Sequence, residues 1–226
     1  SLKDNIQCDA TMHTSYRSVL GQLNWLQSRT QFHIAYSFSR CASAASKPTI
    51  GDVRALNKAV RTVRSNPVVL RFHNIKTPGR PCRILGIPDA AYRNNTDGSS
   101  QRGQTIFLAA PRERSPDTRG SLIDYESQRI KRTVLSTTVS ELYSFMKCFG
   151  TCQFLKGLWA DISGESSEVH MRTDANNLVT TASTTHLPEQ KETIHMIQML
   201  RKESGSGSID DLAHVVSADC LADPLT

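Results

Sequence analysis

Apolar residues recur at helical spacing through the first third of the chain. Val19, Leu20, Leu23, Trp25 and Leu26 step by three and four, and Ile34, Ala35, Phe38 and Ser39 continue in a second segment. After Lys47-Pro48-Thr49, the residues Ile50, Val53, Leu56, Val60 and Val63 share one face of a third helix, which Asn66-Pro67 ends. Arg54, Lys58, Arg61 and Arg64 lie elsewhere on that helix, on a solvated or a phosphate-facing surface. The pattern then shortens. Residues 82–92, 104–110 and 121–125 are short apolar or alternating runs, separated by NNTDGSSQRG and PRERSPDTRG, and they predict an antiparallel meander. A long helix follows over about 137–160, opened by Ser136-Thr137-Thr138 and carrying Val139, Leu142, Met146, Phe149, Leu155 and Leu158. EVHMRTD then reads as a strand ending at Asp174, followed by a short helix from Asn176 and a second over Glu189 to Lys202. The GSGS loop at 205–208, a strand LAHVV and a final helical segment ADCLADPLT complete the chain. A meander followed by βαβ units predicts an α/β fold with a mixed sheet covered by helices.

The chain has 226 residues, enough for one large domain or two small ones, and 38% of them are hydrophobic. Its net charge of +6, from 27 basic and 21 acidic residues, suits a polyanionic partner or an ordinary solvated surface. Six cysteines are scattered without a CxxC, which reads as reduced thiols in an intracellular setting. Cys148 and Cys152 are expected as small apolar residues on one helix face, because no His or Cys pair at zinc-ligand spacing accompanies them. No apolar run approaches the roughly 18 residues of a membrane span, so no membrane partner is expected. The chain opens SLKDNIQ without Met and stops at LADPLT, so both ends read as cut from a longer polypeptide.

Four acids stand out by position. Asp89 lies in CRILGIPDAAYRNN, at the inward-leading end of the first strand, where an unpaired carboxylate is costly. Glu141 lies in the first turns of the long helix, on the face of Phe145 and Cys148. Asp174 ends the strand after that helix, and Asp223 lies in the terminal Leu221-Ala222-Asp223 segment. Polar sites gather at strand carboxyl ends, so Asp89 and Asp174 become neighbours if the first and fourth strands pair. Oxygen-only ligands select a hard ion, Mg²⁺ or Mn²⁺, and two such ions roughly 4 Å apart suit phosphodiester cleavage. Each acid also has a plainer reading as a cap or strand-end hydrogen bonder; Asp174 before Ala-Asn-Asn would serve as an N-cap.

GIPDAAY, LSTTVSELYSF, RTDANNLV and HVVSADCLADPLT, in this order, resemble the ribonuclease H domain of copia-type retrotransposon Pol polyproteins. Upstream, YRSVLGQLNWLQSRTQFHIAYSFSRCAS at 16–43 is similar to the segment that connects reverse transcriptase to that domain. The resemblance implies a helical connecting segment over 1–80 and a ribonuclease H-like domain over 81–226, with three antiparallel strands followed by parallel ones in a five-stranded sheet. It implies Asp89, Glu141, Asp174 and Asp223 as catalytic metal ligands for two Mg²⁺ or Mn²⁺ ions. Asp219 is at most supporting, and His214 sits one position off the spacing of the mobile-loop histidine of cellular ribonucleases H. The implied substrate is the RNA strand of an RNA–DNA hybrid, and the implied partner is the reverse transcriptase domain of the same polyprotein, in a cytoplasmic particle or the nucleus. Arg93, Arg102, Arg129, Lys131 and Arg132 are candidate phosphate contacts, and Asn176 and Asn177 either touch the backbone of a nucleic acid or start their helix. The alternative is a catalytically inactive, element-derived structural or nucleic-acid-binding module. An integrase-type strand transferase shares the fold but needs a glutamate well after its second Asp, where 209–211 here reads Ile-Asp-Asp.

Overall fold

The computed structural model describes residues 2–111, 120–184 and 191–226. They form two compact units, residues 1–70 and residues 71–224 with Thr226.

The first unit is helical: α1 (Ala10–Gln27), a 3-10 turn over Phe32–Ile34 leading into α2 (Ala35–Ser43), and α3 (Ile50–Ser65). Asp9 caps α1 by accepting from the Met12 N–H at 2.8 Å. Thr49 and Asp52 form a capping box at the start of α3, each side chain accepting from the other's backbone N–H. Tyr16, Leu20, Leu23, Ile34, Cys41, Leu56 and Ala59 make the core, and the Tyr16 hydroxyl donates to the Cys41 carbonyl at 2.7 Å. Trp25, expected in this core from its spacing, is instead 63% exposed. The buried stripe of α1 runs Tyr16, Leu20, Leu23, and a residue two beyond Leu23 points away from that stripe. Arg54, Lys58, Arg61 and Arg64 are exposed, and Arg54 pairs with Asp4.

The second unit is built on β1 (Cys82–Ala91), β2 (Gln101–Ala109), β3 (Gly120–Arg129), α4 (Thr137–Ser163), β4 (Ser167–Thr173), α5 (Asn176–Ser183), α6 (Lys191–Gly205) and β5 (Asp211–His214). The five strands lie in the order β3-β2-β1-β4-β5. β1, β2 and β3 are antiparallel, whereas β4 runs parallel to β1 and β5 parallel to β4. This is the five-stranded mixed sheet that the resemblance implies. β2 and β3 reach further than the alternating runs at 104–110 and 121–125, because their pairing continues out to Gln101↔Arg129. Residues 112–119 of the second turn-rich stretch, and Glu189 at the start of the penultimate helix, lie outside the described residues.

Two local choices position α4. Ser136 caps it, accepting from the Val139 N–H, and Gly164 closes it in the left-handed conformation (φ 70°), its N–H donating to the Ala160 carbonyl at 2.9 Å. Midway along, α4 comes so close to β1 that a Cβ at Gly86 would stand 2.6 Å from the Cys152 Sγ and 3.0 Å from the Cys148 Sγ. The cysteine pair is therefore a packing device, fully buried with Ile84, Ile106, Leu142, Phe145, Val169 and Met171.

The terminal segment corrects the sequence reading. It forms two 3-10 turns, Ser217–Asp219 and Asp223–Leu225, rather than an α-helix. Cys220 and Ala222 are buried against Ile87 while Leu221 between them is 53% exposed. Cys220, between the two turns, is extended (φ −75°, ψ 100°), so no continuous helix runs through the segment.

Candidate functional site

The paired register of β1 and β4 runs from Cys82↔Ser167 to Gly86↔Met171, although β1 continues to Ala91 and β4 to Thr173. Pro88, which has no N–H to donate, stands in this unpaired stretch of β1 facing β4. The carboxyl ends of the two strands are thus free of each other at the centre of the sheet, the position where α/β sheets hold their polar sites.

Asp89 lies there, 6% exposed. Its backbone carbonyl accepts a hydrogen bond of 2.7 Å from Ser144 on α4, whose hydroxyl also lies 3.2 Å from the Gly103 carbonyl on β2. Its Oδ2 accepts from the Thr226 hydroxyl at 2.5 Å. Asp174 follows β4 directly. It does not cap α5: the N-cap is Ala175, without a side-chain bond, and the Asp174 Oδ2 accepts from Ser217 at 2.9 Å. A carboxylate oxygen of Asp89, one of Asp174 and the Sγ of Cys220 lie within 4.8 Å of one another.

The other two acids face the same centre electrostatically. Burial pushes the Glu141 carboxyl up to about 8, and the charges of Asp89 and Asp174 push in the same direction. Asp89 is also raised, first by burial and then by Asp174 and Asp223, with the Thr226 hydroxyl and the Ala90 N–H opposing. Asp223 is exposed and begins the last 3-10 turn, its N–H donating to the Cys220 carbonyl at 3.1 Å. Asp219 is exposed in the turn before it, and His214 ends β5 opposite Thr173 with its side chain exposed.

Cys220 is the group that sequence reading did not bring to this centre, having counted it only as one of six scattered thiols. Its one signal was its place three residues before Asp223. Burial, with the Asp89 and Asp174 charges, lifts its thiol to about 11, so it is protonated at neutral pH in the metal-free protein. The strongest charges acting on Asp89 and Glu141 are all carboxylates. Such a set, short of compensating charge and offering oxygen donors, fits a hard divalent cation.

The surroundings are less uniform. Asn176 starts α5, and the Asn177 amide donates to the Thr138 hydroxyl at 3.0 Å, joining α5 to the first turn of α4. Arg102 is buried and paired with Glu126 at 2.7 Å, with a further bond to Gln128 at 2.6 Å, so it is not a phosphate contact. Arg129 is held by Asp97 at 2.6 Å. Arg93, at positive φ (54°), lies over the Tyr92 ring, while Lys131 and Arg132 are exposed. No helix among the described residues is long and apolar enough to cross a membrane.

No protein-family model matches the chain, and no curated protein does. Among solved structures it is similar to ribonuclease H1 of the halophilic archaeon Halobacterium salinarum, at 18% identity over 63% of this chain and 93% of that one, with a TM-score of 0.43. It is similar to the N-terminal ribonuclease H domain of Rv2228c from Mycobacterium tuberculosis, at 14% identity over 64% of this chain and 91% of that one, with a TM-score of 0.45. It is also similar to LC11-RNase H1 in complex with an RNA/DNA hybrid, at 16% identity over 63% of this chain and 92% of that one, with a TM-score of 0.45.

Proposed function

We propose that the chain is a metal-dependent endoribonuclease that cleaves the RNA strand of RNA–DNA hybrids. The observation that carries this reading is the meeting of Asp89 and Asp174 within 4.8 Å at the unpaired carboxyl ends of β1 and β4. Two carboxylates so placed, with Glu141 raised by both, repel one another unless a cation is shared. Asp89, Glu141, Asp174 and Asp223 would hold two Mg²⁺ or Mn²⁺ ions, which supply Lewis-acid polarisation of a scissile phosphate and an attacking water. The chain's own groups set the donors. Ser144 fixes the Asp89 backbone, Thr226 orients its Oδ2, and Ser217 orients Asp174. Buried Cys220 lies beside the two aspartates.

The hybrid is the substrate proposed because the sequence motifs resemble copia-type ribonuclease H domains, with the reverse transcriptase domain of the same polyprotein as partner during reverse transcription. Such a protein reads 2′-hydroxyls and groove shape rather than base sequence. Of the basic residues, Lys131 and Arg132 are exposed and suited to phosphate contact.

The test is cleavage of a labelled hybrid in Mg²⁺ or Mn²⁺, with RNA duplex and DNA duplex as controls. We expect cleavage of the RNA strand only, lost by about 100-fold or more in Asp89→Asn and Glu141→Gln, since each removes a charge that a several-kcal/mol Lewis-acid effect depends on. An unmutated protein that binds hybrid without cutting it in either metal would instead be the inactive nucleic-acid-binding module.

A further inference from the structure

The outer face of α4 is exposed among the described residues. Phe154 is 68% exposed, Leu158 41% and Ile162 74%, and they follow one another at four-residue steps along the helix. Exposed apolar side chains scattered singly need no explanation, but three in a row on one helix form a contact surface. The same face carries Gly150, one turn before Phe154, and Gly157. Glycine inside a helix is destabilising relative to alanine, and no described residue requires it here: a Cβ at either position would meet nothing within 4 Å. The two glycines lower the surface beside the three large side chains. Exposed Lys147 and exposed Asp161 lie on the same face.

These residues are arranged symmetrically about Phe154. Lys147 and Asp161 each stand seven residues from it, on opposite sides, and Gly150 and Leu158 each stand four. A two-fold contact uses one patch against itself, so its halves must be complementary. We propose that this face is a homodimer surface, on which α4 packs antiparallel against α4 of a second copy of this chain about a two-fold axis at Phe154. In that register each Leu158 settles beside a Gly150 of the other copy, large against small. Each Lys147 meets an Asp161 of the other copy, so both ends gain an opposite-charge pair. A parallel pairing would bring Lys147 to Lys147 and Asp161 to Asp161 instead. Glu141 lies on the other side of the helix, among buried Phe145 and Cys148, so this pairing leaves the carboxylate cluster uncovered.

The contact is one helix wide, so a weak dimer is expected, with a dissociation constant on the order of 10–100 µM. Sedimentation equilibrium of the full chain over that range should show monomer and dimer. Leu158→Glu should abolish the dimer while circular dichroism shows an unchanged fold. Lys147→Asp alone and Asp161→Lys alone should each weaken association several-fold, since each creates two like-charge contacts. Mixing these two variants in equal amounts should restore it as a heterodimer, because both mixed contacts then join opposite charges. Gly150→Ala should weaken association yet raise the melting temperature of the monomer. A protein that stays monomeric throughout overturns the proposal, as does a dimer indifferent to Leu158→Glu or to the charge reversals and their mixing.

Discussion

Glu141 sits half-buried on α4 with two other carboxylates acting on it, and its folded-state pKa of about 8 against an ordinary 4.5 has a thermodynamic consequence. Between those values the metal-free folded state holds a proton that the unfolded state has released. Stability therefore falls as pH rises through this window: the contribution is fully present below 4.5 and gone above about 8. On the proposed function, a divalent cation takes the place of the proton as the compensating charge. Thermal unfolding of metal-free protein should show a melting temperature that declines from mildly acid to mildly alkaline pH, with added Mg²⁺ or Mn²⁺ stabilising most at the alkaline end. Glu141→Gln should flatten much of the metal-free decline. A melting temperature that rises over the window in metal-free protein would contradict the burial and repulsion that raise this carboxyl. Asp89 is raised in the same direction by the same causes, which the sequence already suggested by putting a carboxylate at the inward end of an apolar strand. Cys220 gave no comparable warning, because a cysteine is at home in any core.

At the scale of elements, the close approach of α4 to β1 governs the site, since α4 delivers both Glu141 and Ser144 to it. Gly86→Ala would drive a methyl to 2.6 Å from the Cys152 Sγ and 2.9 Å from the Met171 Sδ, both fully buried, so neither can swing aside cheaply. Overpacking of this kind costs about 1–3 kcal/mol. Denaturant unfolding of Gly86→Ala should show that loss, and hybrid cleavage should fall with it as α4 is lifted from the sheet. Cys152→Ala in the same chain should recover part of both. A Gly86→Ala protein as stable as its parent would show that α4 has room the packing does not suggest. The helices and strands themselves were readable because each carries one period over many residues: α3 has its apolar face and its Thr49–Asp52 cap, and the strands have their flanking turns. Trp25 and the terminal segment were misread for related reasons. Trp25 continues a run of apolar residues without lying on the buried stripe, and 217–226 is too short for its two-residue alternation to stand out.

For the whole molecule, the strand order β3-β2-β1-β4-β5 draws Asp89 and Asp174 together from across the second unit, and this could be anticipated only by assuming that β1 pairs with β4. Periodicity carries no such long-range information; the order of the motifs along the chain did. The side-chain network around the acids was not legible at all, because bonds such as Thr226 to Asp89 and Ser217 to Asp174 join residues whose separation in sequence hides them. All four acids belong to the second unit, while the first has a separate core built on Tyr16, Leu23 and Leu56. Ligand binding stabilises only what unfolds with loss of the ligand, by about 2.7 kcal/mol at 100 times the dissociation constant, a factor of about 100 in the opening equilibrium. Hydrogen exchange followed by mass spectrometry, with and without saturating Mn²⁺, should therefore separate the units. Peptides from β1, β4 and the inner turns of α4 should exchange up to about 100-fold more slowly with the ion. Peptides from α1, α2 and α3 should be unmoved, since none of the proposed ligands lies in them. In Asp89→Asn the protection of the second unit should largely vanish while the pattern in α1–α3 stays as it was. Equal protection of both units would mean that they unfold as one body, and the metal would then be stabilising a larger cooperative structure than its ligands span.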